Sequence, residues 1–401
     1  MSKSNETTPN VPILRFPNYS SEWQVSPMGK VCTFRKGYGI SKDNLSSDGT
    51  PCILYGELYT TYKTAIAKNI KSKTSLDPTI LFHSKKNDVI IPCSGETAED
   101  IATSVCIPYD DILLGGDLTV IRSDLDGAFL SNQINSVRKY DIARIAQGKS
   151  IVHLQADELK KISIAYPTID EQQKISGFID QIDERIEVQN KIISDLKVLK
   201  KELCNKLFIS SYCDKTIEIR QVANVYGGYA FNSKTYISDG KYKIVTIGNV
   251  TGDKYISGDY NRLDILPDNI QKQQILNNGD ILISLTGNVG RISVVDGDNY
   301  LLNQRVAKLN VKNNLIKAYI YQYLSNSSFE KDMSNAGQGA AQKNIKNEDI
   351  LSYNIRIPTS QTYLEKIDGL LSTYDKLIAN EERILANLYL QKSFLLNAMF
   401  I

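Results

Sequence analysis

Two segments of the chain carry apolar residues at alternating intervals of four and three, separated by mostly polar positions. Spacing of this kind is typical of a coiled-coil seam, so each segment is predicted to be a long helix that packs against another helix. In the first segment the seam runs through Ile182, Ile186, Gln189, Ile193, Leu196, Lys200 and Leu203. In the second it runs through Tyr374, Ile378, Glu381, Leu385, Leu388, Lys392 and Leu395.

The two predicted helices are copies of one another. Residues 174–209 match residues 366–401 at a constant offset of 192, with 12 of 36 positions identical. The offset, at 191 or 192, continues upstream, where Gly37-Tyr38 aligns with Gly228-Tyr229. The chain is therefore predicted to be a tandem of two units, in each of which a divergent domain precedes a similar helix.

Each helix needs a partner to bury its seam, and the obvious partner is the other copy. Because a domain precedes each helix, we expect antiparallel pairing about a pseudo-two-fold axis, with the two domains at opposite ends. In the predicted register, Gln189 faces Lys392 and Lys200 faces Glu381. The alternative is a pair of unrelated bundle helices with solvated lysines.

The segments before the helices combine short β-rich runs with turns of Gly, Asn and Asp. The predicted fold class is α+β, with two mixed α/β domains and two long helices that form an antiparallel coiled coil. The predicted boundaries are residues 1–165 for the first domain, 166–210 for the first helix, 211–356 for the second domain and 357–401 for the second helix.

The amino-acid composition mainly excludes some classes of protein. The 401 residues are 42% hydrophobic and 23% charged with a net charge of +2, which excludes wholesale disorder and gives no general basic excess for nucleic-acid binding. The first ten residues are polar, unlike a signal peptide, and no run approaches the ~18 apolar residues of a membrane span. The six cysteines are irregularly spaced, so we expect free thiols in a cytoplasmic protein.

Motifs for catalysis are scarce. Only two histidines are present, His83 and His153, so the sequence has few candidate residues for a zinc site or for histidine-based catalysis. Gly148-Lys149-Ser150 resembles the end of a phosphate-binding P-loop, but Ala143 replaces the earlier glycine. The sequence also lacks a dinucleotide-binding glycine pattern, a methylation motif and a nuclease carboxylate cluster. We therefore expect a non-catalytic protein with no metal site and no cofactor of its own.

Polar, glycine-rich loops are the informative parts of both mixed domains. Glycine lets backbone approach phosphates, Lys and Arg neutralise them, and Asn, Gln and Arg can read base edges. One such loop is usually only a loop, but three in each domain, in register between the halves, favour DNA binding. The loops are residues 35–42, 94–96 and 146–150 in the first domain and residues 226–234, 286–291 and 335–344 in the second.

Short motifs at the domain and helix borders carry a family pattern. Arg15-Phe-Pro and Glu22-Trp23 stand near the start, and Pro167-Thr-Ile-Asp-Glu-Gln-Gln-Lys-Ile precedes the first seam. Ile357-Pro358 opens the second copy. Where the first copy has Glu171-Gln172, the second reads Gln361-Thr362-Tyr363. Over nearly its whole length, the chain resembles the specificity subunit of type I restriction–modification enzymes.

The resemblance implies a function for each part. Each mixed domain would be a target-recognition domain that reads one half of a bipartite, asymmetric site in double-stranded DNA, and the helices would set an unread spacer. The helices and nearby surfaces would dock two methyltransferase subunits that carry S-adenosylmethionine. Restriction subunits that use ATP and Mg would complete the complex.

The candidate DNA-binding residues are polar, basic or aromatic residues of the loops or close to them. In the first domain they are Lys36, Tyr38, Lys42, Ser94, Lys149 and His153. In the second domain they are Tyr229, Asn232, Lys234, Thr286, Asn288, Arg291, Gln304, Arg305, Gln338, Gln342 and Lys343.

Two other functions stay open on the sequence. A self-contained DNA methyltransferase or nuclease would act on DNA without partners, so a methylation assay on the isolated chain distinguishes it. A bivalent protein-binding scaffold would leave methylated genomic sites unchanged when its loops are exchanged.

Overall fold

The computed structural model of the chain describes residues 10–148, 151–210, 212–336 and 344–401. Contacts within the chain define two compact units, residues 1–190 with 383–401, and residues 191–382. Each unit contains one mixed domain and a stretch of each long helix, so the division between the units cuts across both helices.

The first unit builds its mixed domain from short strands and short helices. Its strands are β1 (Gln24–Pro27), β2 (Cys32–Lys36), β3 (Leu45–Ser46), β4 (Thr50–Ile53), β5 (Ser72–Thr74), β6 (Phe82–His83), β7 (Asp88–Pro92), β8 (Ser94–Gly95), β9 (Val105–Ile107), β10 (Leu113–Leu114), β11 (Leu118–Ser123), β12 (Val152–His153) and β13 (Ser163–Tyr166). Its helices are α1 (Met28–Val31), α2 (Glu57–Thr60), α3 (Ala98–Ile101), α4 (Gly127–Asn135), α5 (Lys139–Ile145) and α6 (Ala156–Leu159), and the long helix α7 (Ile169–Ile209) follows.

The second unit repeats this plan with fewer elements. Its strands are β14 (Lys215–Glu218), β15 (Ala223–Gly227), β16 (Tyr242–Val245), β17 (Asn261–Leu263), β18 (Ile275–Leu276), β19 (Ile281–Ser284), β20 (Ile292–Val294), β21 (Tyr300–Leu302), β22 (Val306–Val311) and β23 (Asn354–Ile357). Its helices are α8 (Asn314–Leu324), α9 (Ser327–Ala336) and α10 (Asn347–Leu351), and the long helix α11 (Gln361–Met399) follows.

The sheets confirm the internal repeat. The first unit has an antiparallel sheet in the order β2-β11-β7-β9, and the second has the matching order β15-β22-β19-β20. A two-stranded ribbon leads to each long helix, β1 with β13 and β14 with β23. A further sheet differs between the units, with five strands ordered β3-β5-β4-β10-β6 in the first and four ordered β17-β16-β21-β18 in the second.

The turns that precede β7 and β19 share the same backbone conformation and are each followed by an aspartate that forms an ion pair. Asn87 and Gly279, which are 192 positions apart, both adopt positive φ, at 77° and 84°. Each leads into a buried or half-buried aspartate: Asp88 binds Arg122 at 2.6 Å. Asp280 binds Lys308 at 2.6 Å, with both side chains largely buried. The turn therefore supplies one internal ion pair to each central sheet.

The two long helices pair in antiparallel directions within each unit. In the first unit, Ile179, Ile182 and Ile186 share one buried cluster with Leu388, Leu395 and Met399. In the second unit, Cys204 and Phe208 share a cluster with Ile367 and Leu371. All fourteen seam positions are buried or half-buried, and the predicted α+β fold with a helical antiparallel pair is confirmed.

The partners that we predicted for the seam lysines were wrong. Lys392 binds Asp183 rather than Gln189, with Nζ 2.5 Å from Oδ1. Lys200 binds Asp375 rather than Glu381, also at 2.5 Å. Both aspartates lie directly after a seam residue, so each lysine bends out of the apolar seam to a carboxylate at its edge. The seam spacing therefore does not predict the partner of a long, flexible side chain.

The start of each long helix is fixed differently in the two copies. In the first, Arg15 donates to both carboxylate oxygens of Glu171, at 2.7 and 2.8 Å, and the Glu171 side chain is 1% exposed. In the second, the ring of Tyr363 stacks on Tyr212 at 4.3 Å between centroids. Tyr363 occupies the position that corresponds to Glu171, at the offset of 192. In the second copy an aromatic stacking contact therefore stands where the first copy has an ion pair.

The cysteines and the long helices were each predicted from the sequence to have a particular character. All six cysteines are free, and burial raises the pKa of Cys106 to about 12, so its thiol is protonated at neutral pH. Among the described residues, no helix has the length and the apolar character that a bilayer crossing requires.

The buried pair of Asp183 and Lys392 makes a testable contribution to stability. Burial raises the pKa of Asp183, and the Lys392 ammonium opposes that shift. Lys392→Met leaves the carboxylate buried without its lysine, and we expect a loss of about 3 kcal/mol in urea unfolding. Adding Asp183→Leu should restore stability to within about 1 kcal/mol, because an apolar pair replaces the ion pair.

The control for this prediction is Lys197→Met. Lys197 and Glu382 form a pair at 2.7 Å whose side chains are 49% and 47% exposed, so its loss should cost about 0.5 kcal/mol. Equal losses for Lys392→Met and Lys197→Met would contradict a structural role for the buried pair.

Candidate nucleic-acid interface

A polar groove lies at one end of the four-stranded sheet β15-β22-β19-β20 of the second unit. Its volume is about 610 Å³, and three of the predicted DNA-binding residues line it, namely Thr286, Gln304 and Arg305. Thr286 follows β19, while Gln304 and Arg305 occupy the tight connection from β21 to β22 and are exposed. The remaining lining residues are Leu285, Asn344, Ile345, Lys346 and Asn347.

The groove holds positive charge that the protein leaves available. Within the described part of the chain, neither Arg305 nor Lys346 forms a salt bridge. A guanidinium beside exposed amides can donate in pairs to base edges or to phosphate oxygens. The groove therefore has the donors and the access that DNA recognition requires.

Next to the groove, a glycine allows the loop after β15 to approach the connection from β21 to β22 closely. A Cβ on Gly228 would lie 2.1 Å from the carbonyl oxygen of Asn303, so only glycine fits. This approach lets the Tyr229 N–H donate to the Leu302 carbonyl at 2.8 Å and the Gln304 N–H donate to the Tyr229 carbonyl at 2.9 Å. Tyr229 is thereby held next to Gln304.

The Tyr229 side chain is fixed as well. Its hydroxyl donates to Oδ1 of Asn269 at 2.7 Å, and its ring lies 4.9 Å from that of Phe231. Asn232 and Lys234 follow on an exposed turn, in which the Asn232 side chain accepts from the Lys234 N–H at 3.1 Å. These three residues extend the polar surface along the loop that begins at Gly228.

Two other predicted residues lie beside a second depression, of about 270 Å³. Asn288 lines it and is exposed. Arg291 is half-buried, and its Nε lies 3.2 Å from the Glu330 carboxylate, which also lines the depression. The charge of Arg291 is thus partly neutralised within the domain. Gln338, Gln342 and Lys343 lie outside the described residues.

The first unit has the same framework with other side chains. Ser94 and His153 are direct partners in the short ladder of β8 with β12. Thr286 and Asn344, which follow them by 192 and 191 positions, form the matching bridge in the second unit. Ser94 is buried and donates to Asp117 at 3.2 Å, whereas His153 is exposed.

The other candidates of the first unit lie around this ladder or nearby. Lys36 ends β2 and is exposed. Burial raises the pKa of Cys93, and the charge of Lys36 opposes that shift. Tyr38 is 66% exposed, and its N–H donates to the Leu114 carbonyl at 3.0 Å. Lys42 is exposed at the start of a short helical turn. Lys149 lies outside the described residues.

Sequence reasoning missed three polar residues of these surfaces: Asp117, Asn344 and Lys346. Asp117 directly precedes β11, as Arg305 directly precedes β22. The repeat offset could have indicated Asn344, because it is the counterpart of His153, one of the candidate DNA-binding residues of the first domain. Asp117 gave no such signal because it stands 188 positions before Arg305, outside the repeat offset of 191 or 192. Among the described residues, no cluster of His, Cys, Asp or Glu could hold a metal ion.

Gly228 provides a test of how this groove is built. Gly228→Ala must push the loop away from Asn303, and we expect a loss of about 2 kcal/mol in thermal unfolding together with weaker DNA binding. Gly227→Ala is the matched control, since a Cβ there meets nothing within 4 Å, and its effect should stay below about 0.5 kcal/mol. Similar losses for the two variants would show that the close approach is unimportant.

Comparison with known proteins identifies the family. The model of the type I restriction modification DNA specificity domain matches the chain twice, over residues 20–198 and 215–389. The chain is similar to the type I restriction-modification system S subunit from M. genitalium, with 17% identity, a TM-score of 0.60, and coverage of 98% of this chain and 99% of that chain.

A second similar chain comes from a study of complex assembly and conformational transition in the type I R-M system. It shows 16% identity and a TM-score of 0.55, with coverage of 94% of this chain and 96% of that chain. At these identities the structural likenesses show the fold alone, whereas the two family matches together span most of the sequence. The chain therefore belongs to the family of type I restriction modification DNA specificity domain proteins.

Proposed function

We propose that each mixed domain of this type I specificity subunit reads one half of a bipartite, asymmetric DNA site. The chain is a DNA-recognition subunit of a type I restriction–modification system and, like its family, a non-catalytic component. The observation that carries the proposal is that one framework presents different chemistry in each domain. Ser94, Asp117 and His153 in the first stand where Thr286, Arg305 and Asn344 stand in the second.

Such a pair of surfaces suits two unlike half-sites. Arg305 can donate to two acceptors of a guanine, and Gln304 can pair with an adenine edge. Asp117 can accept from the exocyclic amine of a cytosine. Lys36 and Lys346 are exposed and would bind phosphates, which position a protein on DNA without reading sequence. Because the net charge is only +2, we expect modest affinity for DNA from the chain alone.

Arg305 gives the direct test. In a complex with methyltransferase subunits, Arg305→Ala should weaken binding of the native site by about 1 to 3 kcal/mol. Methylation mapping should show relaxed base preference in one half-site and an unchanged second half. Lys215→Ala is the control of equal charge change, on the exposed ribbon β14–β23, and should leave both halves unchanged. A loss of preference in both halves, or in neither, would contradict the proposal.

The helices offer a docking surface for the methyltransferase subunits. The second unit has five apolar residues at 38–54% exposure that stand directly before a seam position, or before Leu364 or Leu371, which continue the spacing of the seam: Ile192, Leu199, Tyr363, Leu370 and Leu377. In an antiparallel pair these positions of the two helices face each other along one side. We call this set the apolar ridge. An apolar strip of this length on a helix pair suits helices of a partner subunit.

The cofactors of the complex would then reside on the partners. We propose two methyltransferase subunits that carry S-adenosylmethionine, and restriction subunits that use ATP and Mg, with this chain binding no cofactor itself. The expected compartment is the cytoplasm, where the cell's DNA is accessible and thiols stay reduced.

The apolar ridge makes a separate prediction. Leu370→Asp combined with Leu377→Asp should abolish co-purification with the methyltransferase subunits, because the charges would be buried against the partner. The fold of the chain should persist, since both side chains are already 43% and 45% exposed. Val198→Asp, at a residue 57% exposed and away from the ridge, should still co-purify. Normal assembly of the double variant would place the docking surface elsewhere.

A further inference from the structure

Asp375 is the point where three elements of the second unit meet. It lies on α11 and is only 7% exposed. Lys200 of α7 binds one carboxylate oxygen at 2.5 Å, and Gln322 of α8 donates to the other at 2.7 Å. Lys254, from the loop between β16 and β17, approaches that second oxygen to 3.8 Å. One carboxylate thus joins both long helices to the recognition domain.

The domain contacts of Asp375 come from parts of the recognition domain that are far apart in sequence. Gln322 is itself 2% exposed, so its bond to Asp375 is shielded from water. Lys254 also acts on Asp368, which lies about two helical turns before Asp375. Burial raises the pKa of Asp368, and the Lys254 charge opposes that shift. Two domain segments therefore bind the same stretch of α11.

The first unit divides these roles among several residues. Asp183, the counterpart of Asp375 at the offset of 192, binds Lys392 of the paired helix. The first domain reaches the helix through Lys68, which binds Asp180 at 2.7 Å and Glu184 at 2.8 Å. In the second copy, Ser372 and Lys376 stand at the positions of that aspartate and glutamate. Asp375, in contrast, bonds both to the paired helix and to the domain.

The recognition domain contacts the helices at other places besides Asp375. A cavity of about 670 Å³ opens beside it, between the loop that carries Lys254 and Tyr255 and the helices that carry Lys200 and Asp375. Apolar contact holds the domain to the helices elsewhere, at Tyr319, which packs into the cluster of Phe208, Ile367 and Leu371. The bonds to Asp375 supply a second, polar attachment beside the cavity, and two separate attachments together set the orientation of the domain on the helices.

We propose that Asp375 is a positioning residue that sets the orientation of the second recognition domain on the helix pair, and with it the spacer length between the half-sites. The inference rests on the proposed reading of a bipartite site. Asp375 touches no DNA in this scheme. Its effect is on where the second half-site is read, not on which bases are preferred.

The test uses the full chain assembled with its methyltransferase subunits. DNA duplexes carry both half-sites, found by methylation mapping, with the native spacer or with one base pair added or removed. For Asp375→Asn, the methylation rate on an altered spacer relative to the native one should rise at least tenfold. The preferred bases in both halves should stay the same. A purely structural loss would lower all rates together and leave this ratio unchanged.

Two further variants keep the inference falsifiable. Gln322→Met removes a domain bond but leaves the pair of Lys200 with Asp375, so it reports on the domain even if Asp375→Asn unfolds. It should raise the spacer ratio in the same direction. Asp183→Asn, the matched control in the first copy, loses a helix-to-helix pair and should keep the native ratio.

The outcomes separate the two proposals. An unchanged spacer ratio in Asp375→Asn and Gln322→Met, or an equal rise in Asp183→Asn, would overturn the role of Asp375 alone. If the wild-type complex methylates no bipartite site, the proposed function itself fails.

Discussion

Burial of two heptad seams against each other, in antiparallel directions, is the constraint on which the rest of the molecule depends. In each unit a stretch of α7 meets a stretch of α11, and isoleucine and leucine side chains fill the space between them. Two lysines interrupt the seams and are satisfied by aspartates at the edge. Because an unpaired buried charge is costly, these pairs favour one register over slipped alternatives.

The recognition domains join this helical frame through both apolar and charged contacts. Trp23 and Phe129 of the first domain share the buried cluster of the first helix pair. In the second unit Tyr319 packs into the corresponding cluster, and its hydroxyl donates to the Arg356 carbonyl at 2.6 Å. Aromatic side chains bury large areas, so they hold each domain base firmly to its helices. Lysines further along each domain add orientation rather than much stability.

The polar loops show how one framework serves two specificities. Gly37 and Gly228 each bring a loop against the residue that follows a neighbouring strand, at a distance that excludes any Cβ. The loops thus keep their paths while the side chains beside them change. Recognition chemistry can diverge in this arrangement without disturbing the sheets, because most of the variable residues are exposed, namely Asp117, His153, Arg305 and Asn344.

The two long helices, the internal repeat and the α+β class were predictable because they depend on periodic patterns that sequence shows directly. The sequence also indicated the loops that line the groove, and their recurrence in both halves. It did not indicate Asp117, Asn344 and Lys346, whose neighbours are distant along the chain. It also misassigned the partners of Lys200 and Lys392, since seam spacing describes backbone positions and not side-chain reach.

What the sequence determined by itself was thus the duplicated architecture, through hydrophobic spacing and an offset that repeats. Only the tertiary structure decided which charges meet, as at Asp375, where residues from α7, α8 and a distant loop converge on one carboxylate. Hydrophobic periodicity is a local property of the chain. Ion pairs and grooves depend instead on the exact approach of segments that are far apart in sequence, to within about an ångström, which no local pattern encodes.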